Sequence, residues 1–334
     1  VALRFLRAGV LTTVQDLGRQ GYQRYGVPVS GAMDTYSLRV ANAVVGNAAD
    51  DAGLELTLEG PAIEFDAPAL IAISGADLGP HAGDNPVPML RPVWMAAGSR
   101  LEFAAARAGS RAYLAVAGGI DLPAVLGSRS TYLRAALGGI EGRALRRGDT
   151  LAAGEVSSPR YPKLKALALQ SKTGFAAPHW AASVHPERLA RSPQVLRFVP
   201  GRHWETLPPE SRTRFMGSEY RISPDSDRMG YRLQGASLGQ PNSADLLSEG
   251  VAFGTIQLPP DGNPIVLMAD RQVTGGYPRI GDVASVDLGL AAQLKPGDRV
   301  RFERISLTQA QQLWVVQERA YGELCEAVRG HMNE

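Results

Sequence analysis

Leu54-Glu55-Leu56-Thr57-Leu58 alternates apolar and polar positions, the period of two expected of a half-buried strand. Short apolar runs at 62–65, 69–74, 100–103 and 111–116 read as strands too, as do 195–199, 265–268, 283–286 and 299–305 in the second half. Two helices stand out against this background. At 35–45, Leu38, Ala41 and Val45 share one face; Asp34 is placed to accept from first-turn amides, and Gly46 to close the end. The second is expected to start at Thr308, which has capping-box spacing with Gln311. Leu313, Val316, Ala320, Leu324 and Ala327 then form one stripe, expected to pack on the body of the protein.

From about residue 152 the periodicity fades: Ser157-Ser158-Pro159, several Lys and Ala residues, Pro178 and Pro186 follow in no clear order. Residues 156–193 therefore read as a linker or long excursion between a β-rich half at 1–155 and a β-barrel half with a terminal helix at 194–334. The halves share an order of signals. Glu59-Gly60, an apolar strand ending Gly75-Ala76-Asp77, and Gly98-Ser99-Arg100 are echoed by Glu249-Gly250, a strand ending Ala269-Asp270, and Gly297-Asp298-Arg299. This points to two related β-barrel-like units in a mainly β protein with some α.

Composition narrows the picture. The 334 residues, 44% of them hydrophobic, can bury a large core. The 37 glycines and 23 prolines punctuate the chain into strands and turns rather than long helices. Lys+Arg 35 against Asp+Glu 33 leaves a net charge of +2, which argues against a nucleic-acid or membrane-surface partner. Cys325 is the only cysteine, so no intrachain disulfide forms and a reducing compartment fits. The segment 1–7 has no continuous apolar stretch and is not expected to be a signal peptide. No apolar run approaches the roughly 20 residues of a membrane span. A soluble, cytoplasmic protein is expected.

Familiar catalytic signatures are missing. There is no phosphate-binding Gly-x-x-x-x-Gly-Lys loop and no Gly-x-Gly-x-x-Gly fingerprint, and Ser128 and Ser130 in Gly127-Ser128-Arg129-Ser130-Thr131 do not meet the Gly-x-Ser-x-Gly elbow. His81, His179, His185, His203 and His331 lie at no metal-ligand spacing, so no metal site is expected. What remains are four polar, glycine-flanked clusters. Thr12 to Arg19 sets Asp16 and Arg19 three residues apart, either as a carboxylate and an anion donor on a loop or as a self-paired turn. Gly118-Gly119-Ile120-Asp121 and Gly127-Ser128-Arg129-Ser130-Thr131 offer amides, hydroxyls and a guanidinium suited to a carboxylate or phosphate, or simply a hydroxyl-rich turn. Ser226 to Arg232 carries Asp227 and Arg228; it lacks the glycine and distal glutamate of a calcium loop. Last, an apolar strand runs into Asp270-Arg271-Gln272-Val273-Thr274-Gly275-Gly276-Tyr277-Pro278, the best local candidate for the lip of a site, with Ile256-Gln257-Leu258 beside it. Local chemistry supports a site for an anionic or amide-bearing small molecule and goes no further.

Taken together and in order, these clusters resemble a known family. Thr-Thr-Val-Gln-Asp-Leu-Gly-Arg at 12–19 with Gly31-Ala32-Met33-Asp34, Tyr113 to Ile120 with Gly127 to Thr131, Ser226 to Leu233, Ser248-Glu249-Gly250-Val251 and Asp270 to Pro278 are similar to the motifs of the biotin-dependent carboxyltransferase and allophanate hydrolase subunit 2 family. The match spans the chain except the stretch after Ala152. The family includes the C subunit of bacterial 5-oxoprolinase, which the chain resembles most, the antagonist of a sporulation-kinase inhibitor, and part of the carboxyltransferase region of urea carboxylase. The resemblance implies a cyclophilin-like β-barrel architecture, a complex with a kinase-inhibitor-like B subunit, action with an A subunit, and ATP-dependent opening of 5-oxoproline to glutamate. ATP, with or without Mg2+, is then the expected cofactor; biotin enters only if a partner carries it, since no Met-Lys-Met acceptor is present. Carboxyl transfer to a urea-like amide and a non-enzymatic antagonist role are the alternatives. Within these motifs Asp16, Asp270, Thr274 and Tyr277 are candidate catalytic residues. Gln15, Arg19, Arg129, Ser130, Thr131, Asp227, Arg228, Gln257, Gly275 and Gly276 are candidate binding residues for substrate or ATP.

Overall fold

A computed structural model describes residues 1–156, 161–183, 189, 191–241 and 246–332. The chain forms two compact units, each woven from separate segments. Unit 1 takes Val1–Arg19, Asp34–Pro186 and Ala320–Glu334; unit 2 takes Gln20–Met33 and Glu187–Arg319.

Unit 1 contains β1 (Ala2–Arg7), β2 (Leu11–Gln15), α1 (Thr35–Val45), β3 (Gly53–Thr57), β4 (Ala62–Phe65), β5 (Ala69–Asp77), β6 (His81–Ala82), β7 (Asn85–Pro86), β8 (Val93–Met95), β9 (Arg100–Glu102), β10 (Ala108–Val116), β11 (Ile120–Asp121), β12 (Thr150–Ala153), α2 (Pro162–Gln170) and β13 (Phe175–Ala176). The strands make a seven-stranded sheet, β11-β12-β1-β4-β9-β6-β7, and a six-stranded one, β13-β8-β5-β10-β3-β2. Their apolar faces meet in one core: Leu3, Phe5, Ile63, Phe65 and Leu101 from the first, Leu54, Leu56, Ile71, Ile73, Leu114 and Val116 from the second. Burying each such side chain contributes roughly 1.5–3 kcal/mol. β3 stops at Thr57 because Leu58 enters the left-handed region, φ 64°.

β3 is buried along both faces, although its alternation predicts one face in solvent. Helix α1 lies over the neighbouring strands β5 and β10. Val40, Ala41, Val44 and Val45 cover Leu70, Ala72, Ala115 and Ala117 on the outer side of the six-stranded sheet. On that side Thr13, Glu55, Tyr113 and Ser74 stand in cross-strand register, a polar rung through four strands. Tyr113 Oη donates to Glu55 Oε2 at 2.8 Å and accepts from Asp34 N at 2.7 Å. Asp34 caps α1 through Ser37 N, and Gly46 closes the helix with φ 75°. Glu55, the central polar position of the alternation, thus finds its partner in Tyr113, which also meets the start of α1.

The segment expected as a linker is structured over 161–183. α2 lies there, and β13 adds to the edge of β8 through Phe175↔Met95 and Ala176↔Trp94. Tyr161 is buried, donating to Val44 O at 3.0 Å and accepting from Trp94 Nε1 at 3.1 Å. No helical period is visible in the sequence because α2 leaves Leu167 and Leu169 exposed.

Unit 2 contains β14 (Gln194–Pro200), α3 (Pro209–Gly217), β15 (Tyr220–Ile222), β16 (Gly230–Gln234), β17 (Glu249–Gly250), β18 (Thr255–Gln257), β19 (Ile265–Leu267), β20 (Thr274–Gly275), β21 (Arg279–Val283), α4 (Leu288–Ala292) and β22 (Arg299–Arg304). Seven strands close a barrel, β14-β21-β18-β19-β16-β15-β22, with β14 and β22 parallel and the other pairs antiparallel. β17 and β20 form a separate ribbon. Phe198, Trp204, Phe215, Tyr220 and Phe302 fill the barrel core, with Phe215 and Phe302 stacked at 4.6 Å between centroids. Met33, fully buried, joins this core and draws segment 20–33 into the unit. A strand expected at 283–286 falls instead at Arg279–Val283, followed by a short 3-10 turn at Ser285–Asp287. Asp287 explains the break: its carboxylate accepts from Arg197 N and Nε, both at 2.8 Å, which a continuing strand would prevent.

Helix α5 (Leu307–His331) starts one residue earlier than expected, with the capping box shifted to Ser306 and Gln309. Gln309 N donates to Ser306 Oγ at 3.1 Å and Ser306 N to Gln309 Oε1 at 2.8 Å. Of the expected stripe, Leu313 packs beside Ala284 and Ile305, and Leu324 beside Val40 and Val44, whereas Val316 and Ala327 are exposed. Val328 takes the buried position instead. No described helix is long and apolar enough to cross a membrane.

Candidate functional site

The polar clusters assemble into distinct constellations, one in unit 1 and two in unit 2. In unit 1, β2 delivers Gln15 and Asp16 to the loop at 128–131. Thr131 docks on the end of β2 through Thr131 N to Val14 O at 2.9 Å. Asp16, 7% exposed, is then surrounded by donors. Its carboxylate accepts from Ser128 Oγ at 2.6 Å, Arg129 N at 2.5 Å, Gly18 N at 2.8 Å and Ser130 Oγ. Ser130 Oγ in turn accepts from Asp16 N at 2.9 Å. Arg19, fully buried, donates to Ser130 O, and Arg129 Nε donates to Leu122 O at 2.7 Å. Gln15 Nε2 donates to Thr13 Oγ1 at 3.0 Å and Thr131 O at 3.1 Å; Gln15 Oε1 is buried without a hydrogen-bond partner among the described residues.

Two glycines make room for this loop. A Cβ on Gly138 would lie 2.1 Å from Ser130 O and 2.7 Å from Arg19 Nη2, and one on Gly139 would lie 2.0 Å from Thr131 Oγ1. Both have positive φ. Sequence reasoning passed over this pair; its signal was the Gly-Gly dipeptide in Leu137-Gly138-Gly139-Ile140.

In unit 2, Arg228 and Asp270 form a buried bidentate pair, Nε to Oδ2 at 2.9 Å and Nη2 to Oδ1 at 3.2 Å, with side chains 7% and 6% exposed. Asp270 N donates to Arg228 O at 2.8 Å, so backbone and side chains are locked together. Ser30 and Gly31 complete the group: Ser30 Oγ donates to Asp270 Oδ1 at 2.5 Å, and Gly31 O accepts from Arg228 Nη2 at 2.6 Å. Ser30 holds φ 58°, uncommon for a residue with a side chain. Ser30 was not singled out in the sequence, where the motif was taken to begin at Gly31. Asp227 serves locally, accepting from Met229 N at 2.8 Å. Arg271 is held below its ordinary pKa by burial, with the charge of Asp270 opposing the shift.

The second constellation of unit 2 surrounds the β17–β20 ribbon. Gln257 ends β18 and is 1% exposed; Thr274 and Tyr277 are exposed, and Gly276 borders Ser248. Glu249 pairs across the ribbon with Gly275. A Cβ on Gly275 would meet Gln257 Nε2 at 2.2 Å.

ATP needs phosphate donors, and the loop at 128–131 does not fit one. Its two serine hydroxyls and the Arg129 amide already point at Asp16, so a phosphate there would meet a carboxylate.

Comparison with known proteins gives this geometry a context. The model of the carboxyltransferase domain, subdomain A and B, matches residues 25–304. The C subunit of 5-oxoprolinase from Escherichia coli strain K12 is 38% identical over 322 residues, 96% of this chain and 97% of that protein. Its counterpart of the same name in Haemophilus influenzae is 38% identical over 90% of each chain. Among solved structures, the K. lactis urea amidolyase superposes on 97% of this chain with a TM-score of 0.83 and 30% identity. This chain spans 20% of that much longer one.

Proposed function

Since this chain belongs to the carboxyltransferase domain family of subdomains A and B, we propose that it is the C subunit of a 5-oxoprolinase and takes part in the ATP-dependent opening of 5-oxoproline to glutamate. The observation that carries the reading is similarity from end to end, on 96% of this chain and 97% of the E. coli protein. Water adds across the lactam C–N bond, giving the γ-carboxylate and the free amine of glutamate. The chain acts in a cytoplasmic complex with a kinase-inhibitor-like B subunit and an A subunit. ATP is assigned to a partner subunit, because the hydroxyl-rich loop of this chain is already engaged by Asp16.

Within this reading Asp16 is a positioning residue. Its oxygens collect donors from Gly18, Ser128, Arg129 and Ser130, which holds the 128–131 loop against β2. Arg228 and Asp270 fix the segment at 268–271 from which Thr274 to Tyr277 extends. Beyond that anchor Thr274 and Tyr277 are exposed, and they are the groups assigned to meet a substrate.

A second reading is carboxyl transfer to a urea-like amide, favoured by the likeness to the K. lactis urea amidolyase. Biotin would then arrive on a partner. Co-expression of the chain with candidate A and B subunits, followed by measurement of glutamate release from 5-oxoproline with and without ATP, decides between them. ATP-dependent release that requires this chain is the expected result. A stable complex that consumes no ATP when 5-oxoproline is added would overturn it and turn attention to carboxyl transfer or an antagonist role.

A further inference from the structure

Around the β17–β20 ribbon of unit 2 lie two buried polar atoms of opposite type. Gln257 Nε2, a donor, and Glu249 Oε1, an acceptor, have no hydrogen-bond partner among the described residues. An unmet buried polar group is costly, and the great majority in folded proteins are paired. Strand alternation places Gln257 on the face of β18 opposite Ile256, which points into the barrel core. The two orphans flank one residue. Gln257 Nε2 lies so close to Gly275 that a Cβ there would sit 2.2 Å away. Glu249 is the cross-strand partner of Gly275, about 5 Å away by ordinary strand pairing. Glu249 is held from its other side, since Oε2 accepts from Arg202 Nη1 at 3.4 Å.

We propose that Gln257, Glu249 and Gly275 form a recognition site for the cis edge of an amide, with Gln257 Nε2 donating to the carbonyl oxygen and Glu249 Oε1 accepting from the N–H on the same edge. A peptide bond is trans and turns its N–H and C=O in opposite directions, so it cannot satisfy both groups at once. A small-ring lactam is forced cis and presents them side by side; so does one end of urea. The site therefore reads a geometry rather than a charge. Gly275 belongs to it because any side chain there would collide with the Gln257 carboxamide and displace it. The identity of this edge as that of 5-oxoproline rests on the functional reading above; the recognition of a cis amide does not.

The test is an NMR titration of the full chain with 5-oxoproline, its N-methyl derivative, urea, and N-acetylglycine as a trans amide. 5-Oxoproline is expected to shift the Gly275 amide and the Gln257 side-chain resonances. N-methylation, which removes the donor, is expected to weaken binding about tenfold, in line with the loss of one well-placed hydrogen bond. Gln257→Met is expected to weaken 5-oxoproline by a similar factor while leaving the melting temperature unchanged or higher, because it removes an unpaired buried donor. Shifts at these residues with urea but not with 5-oxoproline would support the site and assign it to a urea-like amide. Equal binding of the N-methyl or trans compound, no shift at Gly275 with any compound, or a marked fall in melting temperature for Gln257→Met would overturn it. Should the reconstituted complex release no glutamate while the shifts occur as described, the functional reading falls and the cis-amide site stands. The reverse result removes the site and leaves that reading in place.

Discussion

Removing Asp270 is expected to destabilise the barrel unit far more than the loss of an ordinary ion pair. Its carboxylate and the Arg228 guanidinium are 6% and 7% exposed and share two hydrogen bonds of 2.9 and 3.2 Å. Asp270→Ala removes both hydrogen bonds from the Arg228 guanidinium to a carboxylate, together with the one from Ser30 Oγ. Breaking one side of a buried pair typically costs about 3–5 kcal/mol, against about 0–1 for a pair on the surface. The double substitution Arg228→Met with Asp270→Leu removes both charges and refills the space. It should therefore cost well below the sum of the single changes, by about 2 kcal/mol or more. Hydrogen exchange of the full chain, followed by mass spectrometry in peptides from β16 and β19, measures the effect where the pair is anchored, without assuming that two units unfold together. The difference should persist at high salt, since buried charges are weakly screened. A cost below about 1 kcal/mol for Asp270→Ala, or additive single changes, would refute the argument that this pair is closed to solvent.

Three further outcomes follow from unit 1. Gly138→Ala forces a Cβ to 2.1 Å from Ser130 O at φ 64°, and is expected to cost about 2–4 kcal/mol in thermal or urea denaturation, whereas Gly148→Ala, where a Cβ meets nothing within 4 Å, should cost only the strain of its φ, about 1–2 kcal/mol. The hydrogen bond from Arg143 holds the Asp149 carboxyl below its usual range, so its stabilisation is present at neutral pH and lost as the carboxylate protonates below about pH 4. Asp149→Asn should then lower the denaturation midpoint at pH 7, and by progressively less as the pH falls below about 4 and through the lowered folded-state pKa. Burial, reinforced by the negative charges of Glu55 and Asp34, pushes the Tyr113 hydroxyl well up. Its contribution is complete below about pH 10 and fades as pH rises through the raised value. Tyr113→Phe, which removes the hydrogen bonds to Glu55 Oε2 and from Asp34 N, is expected to cost about 1–3 kcal/mol below that pH in denaturant titrations.

Elements carried by local rules were legible in the sequence. Helix α1 runs over Thr35–Val45 with its Asp34 cap and Gly46 stop, and β4 over Ala62–Phe65, because capping and short apolar runs depend on near neighbours alone. Features that depend on distant partners were not. Nothing around Asp287 announces that it receives Arg197 from 90 residues away, and nothing in Ser30 announces Asp270. The candidate residues gathered by motif do meet within their units, Gln15, Asp16, Arg19, Arg129, Ser130 and Thr131 in one, Arg228 and Asp270 in the other. What spacing could not reveal is direction: Ser130 turns its hydroxyl to Asp16 rather than to an outside anion, and Glu249, read as a repeated Glu-Gly word and as part of a family motif, carries an oxygen with no partner among the described residues.

The weaving of the chain has a consequence for synthesis. The first unit begins to form from the earliest residues, yet Val40 and Val44 share their cluster with Val328, which belongs to the segment starting at Ala320. Likewise the barrel waits for nothing so much as Met33, made long before the strands that surround it. On the ribosome the unit started first is thus finished last, and Met33 has to be held available while some 150 intervening residues fold elsewhere. Cutting the gene into an early and a late half would leave each product short of a piece of its own core, so the two units are inseparable as translation products.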